Sequence, residues 1–282
     1  MPAIAIVRAP IAPLHAEPRI ASGQVSQALF GHALLVLGEA GDWRRVRTLH
    51  DGYEGWAHVG YLLIDDAEGV PEDAPAFRPY EERTFAARRD AASLAEDAAI
   101  VGDAAPALSL GCTVRAGERT LRLPFGAVVF GAQTRLDGET VPLAERAARF
   151  PRDGFAIAES AWRFEGTAYQ WGGLTPWGAD CSGFVQAVCG LHGVELPRDA
   201  WQQALVGEHR GDRLDGMAAG DLLFFSDRED RRVTHVGLAI DELRMAHLAL
   251  GRGGWSVEDL VDDDDPYVAR LRANFLHARR VV

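Results

Sequence analysis

The stretch Gly178-Ala179-Asp180-Cys181-Ser182-Gly183-Phe184-Val185-Gln186-Ala187-Val188 constrains this chain more than any other. Two glycine-rich segments, Trp171-Gly172-Gly173 and Pro176-Trp177-Gly178, lead into it. At Cys181 the sequence passes into apolar residues at helical spacing, Phe184, Val185, Val188 and Leu191. This predicts a helix that starts at Cys181 and ends at Gly190 or Gly193. A thiol at a helix start meets backbone N–H groups that have no intrahelical partner and the positive end of the helix dipole. Both favour the thiolate, as a nucleophile requires. The alternative is a structural cysteine buried at the helix start.

The surroundings of this helix set the fold class. Residues 142–150 and 154–163 read as helical, with Leu143, Ala147, Phe155, Ala158 and Trp162 facing inward. A further turn or two, opened by Pro197, runs through Trp201 to Leu205. After Gly220-Asp221 the pattern changes to strands at 222–225, 233–240, 244–250 and 275–282. Helices followed by strands, without βαβ alternation, predict an α+β domain over residues 141–282.

The N-terminal third has a different pattern. Val25 to Leu37 reads as a strand, a bend at Gly31 and a second strand; Trp43 to Thr48 alternates as a third, and Asp51-Gly52 turns into a fourth. Four or five short strands at this spacing predict a small all-β barrel over residues 1–66. The order Gln27-x-x-x-Gly31, Trp43 opening a strand, and Gly52-Tyr53-x-Gly55-Trp56 resembles the bacterial SH3 domain. A polar linker with Pro71, Pro75 and Pro79 follows over residues 67–82. Residues 83–140 are β-like again, and Pro124-Phe125-Gly126 echoes Leu29-Phe30-Gly31, so a second, diverged SH3-like barrel is expected there. The alternative is an irregular β subdomain belonging to a neighbour.

Charge and cysteine usage narrow the partners. A net charge of −12 argues against a nucleic acid held by phosphate neutralisation. No stretch reaches the roughly 18 apolar residues of a membrane span, and the start lacks a basic segment followed by an apolar one, so no membrane contact and a cytoplasmic location are expected. The three cysteines cannot all pair within one chain, which fits a reducing compartment. Cys112 and Cys189 read as small buried apolar residues. A monomer is expected.

A cysteine nucleophile needs a base, and the base needs a partner that fixes its tautomer. Of nine histidines, His235 and His247 fall on two adjacent predicted strands joined by a short turn at Asp241-Glu242-Leu243. In a hairpin these imidazoles lie on neighbouring strands, near enough for one to orient the other. Two other readings remain open. Both histidines can be satisfied locally within their strands, or Cys181 and the two histidines can ligate zinc. For zinc, no fourth close-spaced ligand and no C-x-x-C or H-E-x-x-H pairing is present.

Five motifs in order look like the NlpC family of papain-like cysteine peptidases. They are Tyr169-x-Trp171-Gly172-Gly173, Asp180-Cys181-Ser182-Gly183-Phe184, Leu196-Pro197-Arg198-Asp199 with Gln202-Gln203, Gly220-Asp221-Leu222-Leu223-Phe224-Phe225, and His235-Val236-Gly237. The resemblance implies a papain-like α+β domain preceded by one or two SH3-like barrels. It implies Cys181 as nucleophile, His235 as base and His247 as third polar residue, although Met245-Ala246-His247-Leu248-Ala249 departs from the family's usual Ile-His-Ala. It further implies Tyr169 beside the nucleophile at the oxyanion or substrate carbonyl, with the backbone N–H of Cys181 as main oxyanion donor. Asp180 and Ser182 would receive the free amino end of a muropeptide stem, and Tyr53 would line the lip of the cleft. No metal or organic cofactor is expected. With its SH3 domains the chain resembles the γ-D-glutamyl-L-diamino acid endopeptidases of cell-wall turnover, whose partners are peptidoglycan stem peptides. The alternatives are a non-catalytic peptidoglycan-binding protein or an acyltransferase of the same fold.

Overall fold

Seven short strands, each broken from the next by glycine, proline or a charged turn, make the first sheet. They are β1 Ile4–Val7, β2 Ile11–His15, β3 Gln24–Leu29, β4 Ala33–Ala40, β5 Trp43–Thr48, β6 Glu54–His58 and β7 Leu62–Asp65, in the order β3-β2-β6-β5-β4-β1-β7 with antiparallel pairing. Inward-facing Ala5, Val7, Leu14, Leu34, Val46 and Ala57 form its core, so the alternating pattern places one face of each strand inside. The structure, a computed structural model, describes residues 3–65, 106–130 and 133–282. The chain divides into two compact units, Met1–Arg146 and Ala147–Val282.

The expected linker at 67–82 and the first part of the expected second barrel, 83–105, lie outside the described residues. From residue 106 onward that tract forms three long antiparallel strands, β8 Ala107–Ala116, β9 Arg119–Val129 and β10 Thr134–Pro142, in the order β10-β8-β9. Its apolar face shares a core with the end of β3: Leu29 and Phe30 pack with Cys112, Val114, Leu123 and Val129. The two echoing Phe-Gly segments meet here. Val128 N–H donates to Phe30 O at 2.9 Å, and His32 Nε2 donates to Gly126 O at 3.1 Å. Gly31, at φ 80°, lies so close that a Cβ would stand 2.4 Å from Val128 O, so only glycine fits.

The second unit places helices against one six-stranded sheet. After the short helix Arg146–Arg149 at its start, its helices are α1 Gly154–Ser160, α2 Cys181–Leu191, α3 Ala200–Gln203 and α4 Pro266–Asn274. A two-residue pair, β11 Leu174–Thr175 with β12 Gly178–Ala179, precedes α2. The sheet comprises β13 Glu208–Gly211, β14 Leu222–Phe225, β15 His235–Ala239, β16 Arg244–Ala249, β17 Gly254–Asp259 and β18 Phe275–Arg280, in the order β13-β18-β14-β15-β16-β17. All four residues of β14 are buried, as a central strand covered on both faces requires.

Two expectations need correction. Phe155 and Trp162 are exposed, at 77% and 43%, and Ala147 is exposed as well; the buried stripe runs instead through Ile157, Ala158, Ala161 and Phe164. The helix breaks at Ser160 into a 3-10 turn over Ala161–Phe164, and that change of pitch turns Trp162 outward and Phe164 inward. The sheet also contains β13 and β17, which the sequence reading did not anticipate.

Candidate active site

Cys181 is the first residue of α2, and Asp180 is its N-cap, with Oδ1 accepting from Gly183 N–H at 2.8 Å. The glycines before and after it are required by close approach. A Cβ on Gly173 would lie 2.3 Å from Gly178 O, and one on Gly183 would lie 2.1 Å from Gly173 O, with no flexible side-chain end to move aside. The loop therefore folds back directly over the helix start. The backbone N–H groups of Ser182 and Val236 face the Cys181 sulfur and favour its thiolate, and Val236 is the residue after His235 in β15.

The two histidines meet across the β15–β16 hairpin. Leu238 pairs with Ala246, and from that register His235 Nε2 and His247 Nδ1 come to 2.8 Å. His235 is half-buried and its ring lies 5.9 Å from that of Phe225; His247 is fully buried. On the far side, His247 Nε2 stands 3.1 Å from Glu258 Oε1 on β17. Glu258 is buried and also accepts from Ser256 Oγ at 2.6 Å and from Arg252 at 2.9 and 2.6 Å. His235, His247 and Glu258 thus form one hydrogen-bonded line across β15, β16 and β17, with Cys181 at the start of α2 near its β15 end.

Two opposing influences act on the Cys181 thiol. The helix start and its N–H donors do favour a thiolate, but burial and the neighbouring Asp180 carboxylate outweigh them and push the Cys181 thiol up to about 12. Burial and the His247 ring bring His235 down to about 3. Both shifts favour the thiol and the neutral imidazole over the ion pair, so the sulfur's proton passes to His235 as it attacks.

Tyr169 is half-buried, and burial together with the adjacent Cys181 and Asp180 raises its phenol, keeping the hydroxyl protonated and able to donate near the nucleophile. Ser182 and Asp180 are both buried, and Arg198 occupies both. Its guanidinium reaches Asp180 Oδ1 at 3.0 Å and Oδ2 at 2.7 Å, and Ser182 Oγ at 2.9 Å. Gly172 N–H supplies a further donor to Asp180 Oδ2 at 2.8 Å. Gln203 adds a tie from α3, donating to Ser182 O at 3.0 Å and Pro197 O at 2.9 Å. Tyr53 lies in the other unit, in the turn before β6, with its N–H donating to Thr48 Oγ1 at 2.9 Å. Cys112 and Cys189 are buried and free, and neither touches this line of residues.

Arg198, Glu258 and Arg252 are the residues that sequence reasoning passed over. Arg198 lies within Leu196-Pro197-Arg198-Asp199, a motif that by itself assigns it no role. Glu258 stands before an acidic run, Asp262 to Asp265, and reads there as one more solvated charge. The signal that reveals it is the Gly253-Gly254 turn followed by Trp255 and Val257 in alternation, which marks a strand.

This fold and this line of residues define a papain-like cysteine peptidase. Residues 166–264 match the NlpC/P60 family, and residues 14–63 match the bacterial dipeptidyl-peptidase Sh3 domain. The chain belongs to the NlpC/P60 family. It is 29% identical over 88% of its length, and 79% of the relative's, to a protein of Bacillus subtilis named gamma-D-glutamyl-L-lysine dipeptidyl-peptidase. It is 36% identical over 44% of its length to a probable endopeptidase of Haemophilus influenzae, covering 73% of that protein. The crystal structure of an NlpC/P60 family protein from Bacillus cereus shares the fold with a TM-score of 0.71 at 17% identity, over 99% of each chain.

Proposed function

We propose that this enzyme hydrolyses the bond between γ-D-glutamate and the diamino acid of peptidoglycan stem peptides, releasing L-Ala-D-Glu, in cell-wall turnover or recycling. The observation that carries the reaction class is the His235–His247 hydrogen bond of 2.8 Å beside the Cys181 sulfur. The substrate class is supported by the named activity of the Bacillus subtilis relative and by the Sh3 match in the first unit. Among the described residues no helix is long and apolar enough to cross a membrane. A cytoplasmic setting and a monomeric enzyme belong to the same proposal.

The reaction runs in two halves. The Cys181 sulfur attacks the γ-glutamyl carbonyl carbon, its proton passes to His235, and the carbonyl electron pair moves to oxygen beside the helix-start N–H of Cys181 and the Tyr169 hydroxyl. Collapse breaks the C–N bond, and His235 returns the proton to the leaving amine. Water, activated by His235, then hydrolyses the thioester.

In this reading Asp180 and Ser182 also receive the free amino end of the stem, and Tyr53 contacts the stem. Arg198 already engages Asp180 and Ser182, so an ammonium there shares them. The test is incubation with L-Ala-γ-D-Glu-diaminopimelate, its lysine counterpart and an N-acetylated form, with products weighed by mass spectrometry. Release of L-Ala-D-Glu from the free-amine peptides supports the reading, and no release from any of them overturns it. Equal cleavage of the N-acetylated form removes only the amino-end role of Asp180 and Ser182.

A further inference from the structure

Glu258 lies beyond the three residues that a cysteine peptidase of this kind needs, yet it is buried, charged and bonded to the third of them. Its carboxylate is an acceptor only, so the hydrogen of His247 Nε2 must lie in the 3.1 Å contact to Glu258 Oε1. With a single hydrogen on His247, Nδ1 is then an acceptor, and in that form the 2.8 Å contact takes its hydrogen from His235 Nε2. His235 Nδ1 is left with a free lone pair, the form that can take the Cys181 proton. One carboxylate thereby determines the tautomer of two imidazoles in series.

We propose that Glu258 is the positioning residue of this active site, the anionic end of a Cys181–His235–His247–Glu258 relay, and that Arg252 limits its pull. This rests on His235 acting as the base. When the sulfur attacks, its proton goes to His235 Nδ1, and the positive charge that appears on the imidazole pair faces the Glu258 carboxylate through His247. Arg252 binds the same carboxylate through Nε at 2.9 Å and Nη2 at 2.6 Å, also contacts Asp265, and stacks 4.3 Å over Tyr267, whose ring lies 6.0 Å from His247. The groups facing the pair are therefore Cys181 from α2, Glu258 from β17, Tyr267 and Asp265 from α4 and its cap, and Arg252. Burial by itself would raise the Glu258 carboxyl, but hydrogen bonds from His247, Arg252 and Ser256 outweigh it, so the group is ionised whenever the enzyme works. A carboxylate here strengthens the base and a cation opposes it, so the two residues must act in opposite directions.

The test is the rate at which iodoacetamide alkylates Cys181 at pH 7 in the full chain, followed by mass spectrometry of the Cys181 peptide. It needs no stem peptide, so it is decided even if the proposed substrate is wrong. Glu258→Gln should slow alkylation roughly tenfold, one pKa unit of lost base strength. Arg252→Met should alkylate faster than wild type. A purely structural Arg252–Glu258 pair would slow both variants, and that result overturns the proposal. So does a Glu258→Gln rate equal to wild type. If Glu258→Gln does not unfold cooperatively, Arg252→Met decides alone: a faster rate upholds the relay, and an equal or slower one overturns it.

Discussion

Arg198 closes on both carboxylate oxygens of Asp180, at 3.0 and 2.7 Å, directly beside the nucleophile and almost wholly out of water. The same guanidinium bonds Ser182, so the residues on either side of Cys181 are held by one side chain. A charge pair at this depth gains little over a neutral pair of the same shape, but breaking it leaves a buried charge without a partner.

Arg198→Met should therefore destabilise the protein by about 3–5 kcal/mol in urea unfolding. Adding Asp180→Asn should recover much of that loss, because the double variant leaves no unpaired charge. A single-variant cost below about 1 kcal/mol, within the range of exposed pairs, would contradict the burial argument.

The rest state of the nucleophile is open to a pH measurement. With Cys181 raised to about 12 by burial and Asp180, and His235 lowered to about 3 by burial and His247, the alkylation rate of Cys181 should climb steadily from pH 7 to pH 10. A rate that reaches its plateau below pH 7 would show a thiolate–imidazolium pair at rest.

Acid should weaken both units. His235 in the second unit and His32 in the first are each held near 3, below the ordinary value of 6.5, and His277 is lowered as well. For a histidine depressed on folding, the unfolded chain binds the proton first, so stability is present above pH 6.5 and is lost as pH falls toward 3. Each such group contributes at most about 1.4 kcal/mol per pH unit in that window. Glu258, depressed below 4.5, adds a loss of the same sign at lower pH. Urea midpoints at pH 7, 5 and 4 should fall in that order, and His235→Asn should flatten the decline; a midpoint unchanged down to pH 4 would contradict it.

The features carried by spacing were legible in the sequence: the helix beginning at Cys181, the hairpin that aligns His235 with His247, and the strand–bend–strand around Gly31. Features set by long-range burial were not. The turn and alternation before Glu258 mark a strand but not a role, because its partners His247 and Arg252 come from β16 and the turn before β17. Arg198 has the same history, since its partners lie in α2 and the loop before it. The direction of the Cys181 shift also depends on packing: a helix start is local, whereas the burial that raises the thiol exists only in the folded domain.

The central claim is that Cys181 attacks the peptide carbonyl and carries the acyl group. Acid-quenched mixtures of enzyme and L-Ala-γ-D-Glu-diaminopimelate, measured by intact-protein mass spectrometry, test it most directly. The account predicts an adduct of the L-Ala-D-Glu acyl group that maps to the Cys181 peptide, and no adduct or turnover in Cys181→Ala. Turnover that persists in Cys181→Ala, or an adduct on any other residue, would contradict it.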